Sequence, residues 1–198
     1  MKTLLLDSAG MSLSVGIAVD GKLVRAVSYP CWQRQSEKMI PEIESALKET
    51  GLCLKDFGEF VSGKGPGSYT GIRIAMTIAK IAAQMAKAKL IPISSLRIMG
   101  DRNKKFIALM NARSGRSYIG VYAYDDVILE DRVMKNEEVL RYVREHPEFT
   151  VIGDCGYLGI SSEKPDEIRG LLSFREIVSP LANPAEARPV YLKDHDGI

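Results

Sequence analysis

The sequence predicts an α/β protein in which a run of strands followed by a helix occurs twice, so that two related halves each carry a mixed sheet. Three observations predict it. Short apolar runs open the chain and begin again at Phe106, with the alternating or continuous character of strands. Two longer segments, 36–51 and 70–87, place their apolar residues at helical spacing. Hydrophobic residues make up 45% of the 198 and charged residues 26%, which supports a packed core rather than a disordered chain.

Leu4-Leu5-Leu6 is a short continuous apolar run, as in a strand covered on both faces. Leu13, Val15, Ile17 and Val19 alternate with Ser14, Gly16 and Ala18, the pattern of a half-buried strand. Asp20-Gly21 marks a two-residue hairpin, and Leu23 to Tyr29 returns from it. Ser36 to Gly51 reads as a helix with Ile40, Ile43 and Leu47 on one face, Pro41 near its first full turn and Gly51 as its C-cap. Phe57–Ser62 and Leu90–Ile93 are short strands flanking a second helix, Thr70–Lys87. The polar stretch 101–105 suggests a boundary between an N-terminal lobe, 1–100, and a smaller C-terminal lobe, 101–198. Phe106–Met110, Tyr118–Tyr124 and Ile128–Met134 form the second set of strands, with a turn at Asp125-Asp126. Asn136 caps a helix that ends near Glu145, before His146-Pro147, and Thr150–Ile152 is a short strand. From Gly153 to Arg188 the pattern places no element.

Charge and cysteine content exclude several classes. The 27 Lys+Arg nearly balance the 25 Asp+Glu, so no nucleic-acid surface follows from net charge. Cys31, Cys53 and Cys155 are far apart and show neither a disulfide framework nor metal-ligand spacing, as in a reducing cytoplasm. The opening apolar run is too short for a signal peptide, and no uncharged stretch is long enough to span a membrane. His146 and His195 have no His or Cys partner at ligand spacing, which argues against a zinc or iron site and against a Ser-His-Asp arrangement. Cys155, in the run Gly153 to Gly156, reads as structural. Arg97, Arg102, Lys104, Lys105, Arg113 and Arg116 make the boundary region basic, which reads as a solvated face, with a contact to RNA phosphates as the alternative.

The most informative segment is the loop Gly63, Lys64, Gly65, Pro66, Gly67, Ser68, Tyr69, Thr70, Gly71, Ile72, Arg73, with four glycines in nine positions just before a helix. Glycine lets another backbone or a phosphate come close, and a helix start offers free N–H groups. A Walker pattern is missing, because no Gly-Lys-Ser/Thr triplet opens the helix. The dinucleotide-binding order of glycines is missing as well. The loop therefore reads first as a tight strand-to-helix connection. Asp7-Ser8 could orient a metal or phosphate, or form a turn in which the aspartate bonds its own backbone.

On the helix after the loop, Arg73, Thr77, Lys80, Gln84 and Lys87 form a polar stripe. Ile74, Ile78, Ile81 and Met85 make one apolar flank, and Gly71, Ala75, Ala79, Ala82 and Ala86 make a flank of small residues. One flank can pack on this chain's own sheet, and the small flank would let another helix approach closely. Either both flanks are covered within this chain, or one meets a helix of another subunit.

The loop resembles the Gly-Arg-Gly-Pro-Gly-Ser-Phe-Thr-Gly-Leu-Arg signature of the TsaB (YeaZ) family. The similarity extends to Leu4–Ser8 with the strand after it, Ser36-Glu37-Lys38-Met39-Ile40-Pro41, Pro92-Ile93-Ser94-Ser95-Leu96 and Pro189-Val190-Tyr191-Leu192-Lys193. It implies the actin-like (ASKHA, ribonuclease H-like) fold of two related lobes, here with the second reduced. It implies a cytoplasmic, non-catalytic partner of the TsaD threonylcarbamoyltransferase, acting in threonylcarbamoyl modification of the adenosine beside the tRNA anticodon. Pairing with TsaD runs through the two N-terminal helices, with homodimers forming through the same surface. This puts Ile40, Ile43, Leu47, Gly71, Ala75, Ala79 and Ala82 at the expected interface. The ATPase TsaE docks on that pair, tRNA is met indirectly, and ATP or ADP enters only at the assembled complex, with no cofactor intrinsic to the chain. The family's usual histidine before Ser-Glu is Gln35 here, and its Asp-Ala-Arg is Asn111-Ala112-Arg113. The His-x-x-x-His metal motif of TsaD has no counterpart, which also disfavours a metallopeptidase. The alternative reading is an actin-like ATPase or phosphotransferase using Asp7 and the Gly-rich loop.

Overall fold

The computed structural model describes residues 1–31 and 33–192. The first sheet contains β1 (Lys2–Asp7), β2 (Ser12–Val19), β3 (Lys22–Pro30), β4 (Glu59–Gly63) and β5 (Lys89–Ile93), in the order β3-β2-β1-β4-β5. The meander strands pair antiparallel, whereas β4 pairs parallel to both β1 and β5. The second sheet contains β6 (Lys105–Arg113), β7 (Arg116–Ala123), β8 (Asp126–Lys135) and β9 (Thr150–Ile152). Among the described residues its order, β8-β7-β6-β9, with β9 parallel to β6, repeats the first four strands of the first sheet. This is the actin-like arrangement of two related α/β lobes, the second reduced.

Local chemistry accounts for most element ends. Asp20 (φ 50°) and Gly21 (φ 78°) are both left-handed, as a hairpin between twisted strands requires. Helix α1 (Gln35–Thr50) stops at Gly51, which is left-handed and returns its N–H to Leu47 and Lys48 carbonyls. Helix α2 (Tyr69–Ala86) starts at Ser68, whose side chain accepts from the Gly71 N–H. Helix α3 (Asn136–Glu145) ends at His146, and the turn before β8 falls one residue earlier than expected, at Tyr124-Asp125.

Helices α1 and α2 lie on one face of the first sheet, over Leu4, Leu6, Leu13, Val15, Ile17, Phe60 and Leu90. The opposite face carries Leu5, Val61, Ile91 and Ile93 and shares a core with Phe106, Ala108 and Tyr122 of the second sheet. A helix that the sequence pattern does not place, α4 (Glu167–Phe174), fills this junction with Ile168, Leu171 and Phe174. Its presence corrects the reading of β2 as half-buried. Ser14, Gly16 and Ala18 are also covered, and a Cβ on Gly16 would stand 2.7 Å from Ile168 Cγ2. Gly16 is the residue of β2 that lets Ile168 of α4 approach. After α4 the chain crosses back to the first sheet, where the Leu181 N–H donates to the Leu90 carbonyl and Ala187 joins the α1/α2 core.

Candidate functional site

The Gly-rich loop leaves β4 at Gly63, passes a cis Gly65-Pro66 bond and enters α2 after Ser68. Several of its N–H groups are engaged by this chain. Lys64 donates to the Ile93 carbonyl (2.8 Å), Gly65 to Ser95 Oγ (3.0 Å) and Ser68 to the Ala9 carbonyl (2.7 Å). The glycines make room for the same neighbours. A Cβ would lie 1.8 Å from Asp7 Oδ1 at Gly63, 2.4 Å from the Val190 carbonyl oxygen at Gly65, 2.5 Å from the Ala9 oxygen at Gly67 and 1.9 Å from the Ser8 oxygen at Gly71. Side chains at these four positions would collide with the chain itself. This crowding fits a tight strand-to-helix connection.

The terminal Pro-x-Tyr-Leu segment closes on this loop. The Val190 N–H donates to the Lys64 carbonyl (2.7 Å), and Arg73 Nε donates to the Tyr191 hydroxyl (2.6 Å). The Tyr69 and Tyr191 rings stack at 5.0 Å, with the Arg73 guanidinium 3.9 Å above Tyr69. Thr70 lies exposed in the first turn of α2. Lys193 and His195 lie outside the described residues.

Asp7 is buried at the end of β1, and its Oδ2 accepts from the Ala9 N–H at 3.1 Å, the local turn expected of an aspartate here. Its second oxygen is 3.5 Å from Ser95 Oγ. Burial, and then the charge of Glu167 at the start of α4, push its pKa up to about 7. Glu167 is itself raised by burial. This second carboxyl is 160 positions away in the chain, so no sequence spacing could pair it with Asp7. Across the junction, Ser94 and Tyr122 both donate to Asp131, whose pKa burial also raises. Among the described residues no group of three or more His, Cys, Asp or Glu could hold a metal ion.

The other candidates have structural partners. His146 stacks on Tyr142 at 4.1 Å, with its Nδ1 2.8 Å from the Tyr142 carbonyl. Cys155 is buried, which raises its thiol pKa and keeps it protonated. Arg102 bonds Asp125 and Glu176, Lys104 pairs with Glu163, and Arg97 lies over the Tyr122 and Phe174 rings. Arg102, Lys104, Asp125, Glu163 and Glu176 edge an open cavity of about 850 Å³ in which basic residues alternate with acids of the same chain.

The two flanks of α2 are exchanged relative to the sequence expectation. Gly71, Ala75, Ala79 and Ala82 are not available to another subunit, because they are buried against this chain's own sheet. Close seating is the cause: Ser8 Oγ donates to the Gly71 carbonyl at 2.7 Å, leaving no space for longer side chains on that side. The large flank is left outside, with Ile81 51% and Met85 70% exposed and Ile74 and Ile78 half-buried. On α1, Ile43 is likewise buried and Leu47 half-buried against the core, while Ile40 is 46% exposed. Of the seven expected interface residues, only Ile40 stands clearly in solvent. Ile81 and Met85, which the flank assignment missed, are also exposed, on α2.

A family model described as TsaD, tRNA N6-adenosine threonylcarbamoyltransferase, matches residues 31–154. The tRNA threonylcarbamoyladenosine biosynthesis protein TsaB of Bacillus subtilis is 28% identical over 144 residues, covering 71% of this chain and 62% of that protein. TsaB of Escherichia coli is 31% identical over 132 residues, covering 64% and 57%. The match thus spans about three-fifths of these curated relatives. The solved YeaZ from Pseudomonas aeruginosa has a TM-score of 0.78 at 21% identity, covering 96% of this chain and 99% of that one. A second solved chain, described as similar to peptidase YEAZ from the same organism, has a TM-score of 0.82 at 21% identity, covering 97% and 99%. With the model matching well over half of the residues, the chain belongs to the TsaD family, on its TsaB/YeaZ side.

Proposed function

We propose that this chain is a non-catalytic subunit that binds a TsaD-type threonylcarbamoyltransferase and supports threonylcarbamoyl modification of the adenosine beside the tRNA anticodon. The observation that carries this reading is the exposure of large apolar side chains, Ile40 on α1 and Ile81 and Met85 on α2. Large apolar side chains left in solvent on two helices that pack together suit burial against a partner. The names of the relatives support the pathway.

In the same proposal, a second copy of the chain competes for this surface, a TsaE-type ATPase docks on the assembled pair, and ATP or ADP enters only there. Contact with tRNA is indirect, and the setting is the cytoplasm; among the described residues no helix is long and apolar enough to cross a membrane. The division into lobes 1–100 and 101–198 is also proposed, with the chain from α4 onward crossing back to the first sheet. The test is co-purification of the full chain with a TsaD-type protein, followed by calorimetric titration. A complex at micromolar concentration is expected, and its absence would overturn the reading.

A further inference from the structure

The stretch 181–191 is a strap with a firm root and a light tip. At the root, the Leu181 N–H donates to the Leu90 carbonyl at 2.9 Å, and the Asn183 side chain caps the turn Pro184–Glu186. Ala187 is 4% exposed, in the core that α1 and α2 share with the first sheet. Arg188 folds back on this root, its Nη1 donating to the Ala185 and Ala187 carbonyls. From Pro189 onward the contacts change. The Val190 N–H donates to the Lys64 carbonyl, Arg73 Nε donates to the Tyr191 hydroxyl, and the Tyr191 ring stacks on Tyr69. The side chains that hold Tyr191 lie at the surface: Tyr69 is 57% and Tyr191 40% exposed, and Arg73 is exposed as well.

The seat under the tip is built without it. The Lys64, Gly65 and Ser68 N–H groups bond Ile93, Ser95 and Ala9, and the Gly71 N–H bonds Ser68 Oγ, so none of these partners is on the strap. Gly65 lets the Val190 carbonyl come close, since a Cβ there would stand 2.4 Å from its oxygen. The loop keeps its own bonds whether the tip is down or up. A segment held by exposed contacts and joined to a buried root opens locally at far lower cost than the whole fold unfolds.

We propose that residues 189–191 are a clasp over the start of α2, pivoting at Arg188 and exchanging between a closed and an open position while the Gly-rich loop and both sheets stay folded. Opening releases the Lys64 carbonyl and leaves Arg73 and Tyr69 without the tyrosine that caps them. These groups lie at the N-terminal end of the helix that carries Ile81 and Met85 outward. The surface of α2 thus has a form covered by this chain's own tyrosine, and a form that presents a cation beside an open aromatic ring.

Amide exchange of the full chain at several urea concentrations below the unfolding transition tests this. The Val190 N–H should be protected, but with little dependence on urea, because opening the clasp exposes little surface. The amides of β1 and β4 should exchange more slowly, with the steep urea slope of global unfolding. Tyr191→Ala removes both the stack and the bond from Arg73, and should cut Val190 protection by roughly tenfold or more. The Gly65 and Ser68 amides should keep theirs. Tyr191→Phe, which retains the ring, should give a smaller cut. An unprotected Val190 in the wild type would overturn the clasp, as would a Val190 that exchanges with the urea slope of β1. So would Val190 protection unchanged in Tyr191→Ala, or an equal loss at Gly65 and Ser68.

Discussion

Replacing Ile81 and Met85 together by glutamate separates the outer side of α2 from its core side. The two side chains are 51% and 70% exposed, so the folded chain depends little on them. A surface double substitution of this kind should change stability by no more than about 1 kcal/mol. Association is another matter. Fully burying an aliphatic side chain is worth about 1.5–3 kcal/mol, and the exposed fractions together amount to a little more than one such side chain, so covering both contributes roughly 2–4 kcal/mol. That is about 30-fold in Kd at the low end, and glutamate adds the cost of removing a carboxylate from water. Ala79→Glu is the opposite control: Ala79 is 0% exposed, and a carboxylate there should cost more than about 4 kcal/mol and unfold much of the population. The assay pairs urea unfolding with calorimetric titration against a TsaD-type protein, and with light scattering for self-association. The reasoning fails if Ile81→Glu/Met85→Glu unfolds as readily as Ala79→Glu, or if it folds normally and binds within threefold of wild type.

Two other perturbations probe the loop and the junction. Gly71→Ala should gain about 1 kcal/mol of helix propensity, but its Cβ would lie 1.9 Å from the Ser8 carbonyl oxygen; the clash should win by roughly 2–3 kcal/mol in urea unfolding, and a stabilised variant would refute the close seating of α2. Asp7→Asn should raise global stability only where Asp7 is ionised in the unfolded chain: burial lifts its pKa from 3.8 to about 7, so wild-type stability is intact below about pH 4 and drops by about 4 kcal/mol as pH rises to 7. Unfolding curves of both proteins that stay parallel from about pH 4 to 8 would show that Asp7 carries no such linkage.

Much of the fold is written locally. The Asp20-Gly21 hairpin, the Gly51 cap and both meanders follow from residues that specify their own backbone, so spacing and composition suffice to find them. Helix α4 was not legible for two reasons. It is only eight residues long, and Gly170, which weakens its helical pattern, is required by the approach of the Ile98 carbonyl rather than by the helix. A signal was present in Asp166, whose side chain caps the Arg169 N–H, followed by Ile168, Leu171 and Leu172 at helical spacing. Because α4 was missing, the small residues of β2 looked like a solvent face, and Glu167 could not be set beside Asp7.

The reversal on α2 has the same origin. Periodicity divides the helix correctly into a polar stripe, a flank of small residues and a flank of large ones, but it does not say which flank meets the sheet. Small residues permit close approach by whichever surface comes near. Here that surface is β1 and the turn after it, because Gly67 and Gly71 already admit the Ala9 and Ser8 carbonyls. The glycines of the loop and the alanines of the helix thus serve one contact, which seats α2 against its own sheet. The consequence for function is direct. A helix held this closely by its small side presents Ile81 and Met85 outward on a rigid support, and a rigid apolar surface loses less entropy on binding than a mobile one.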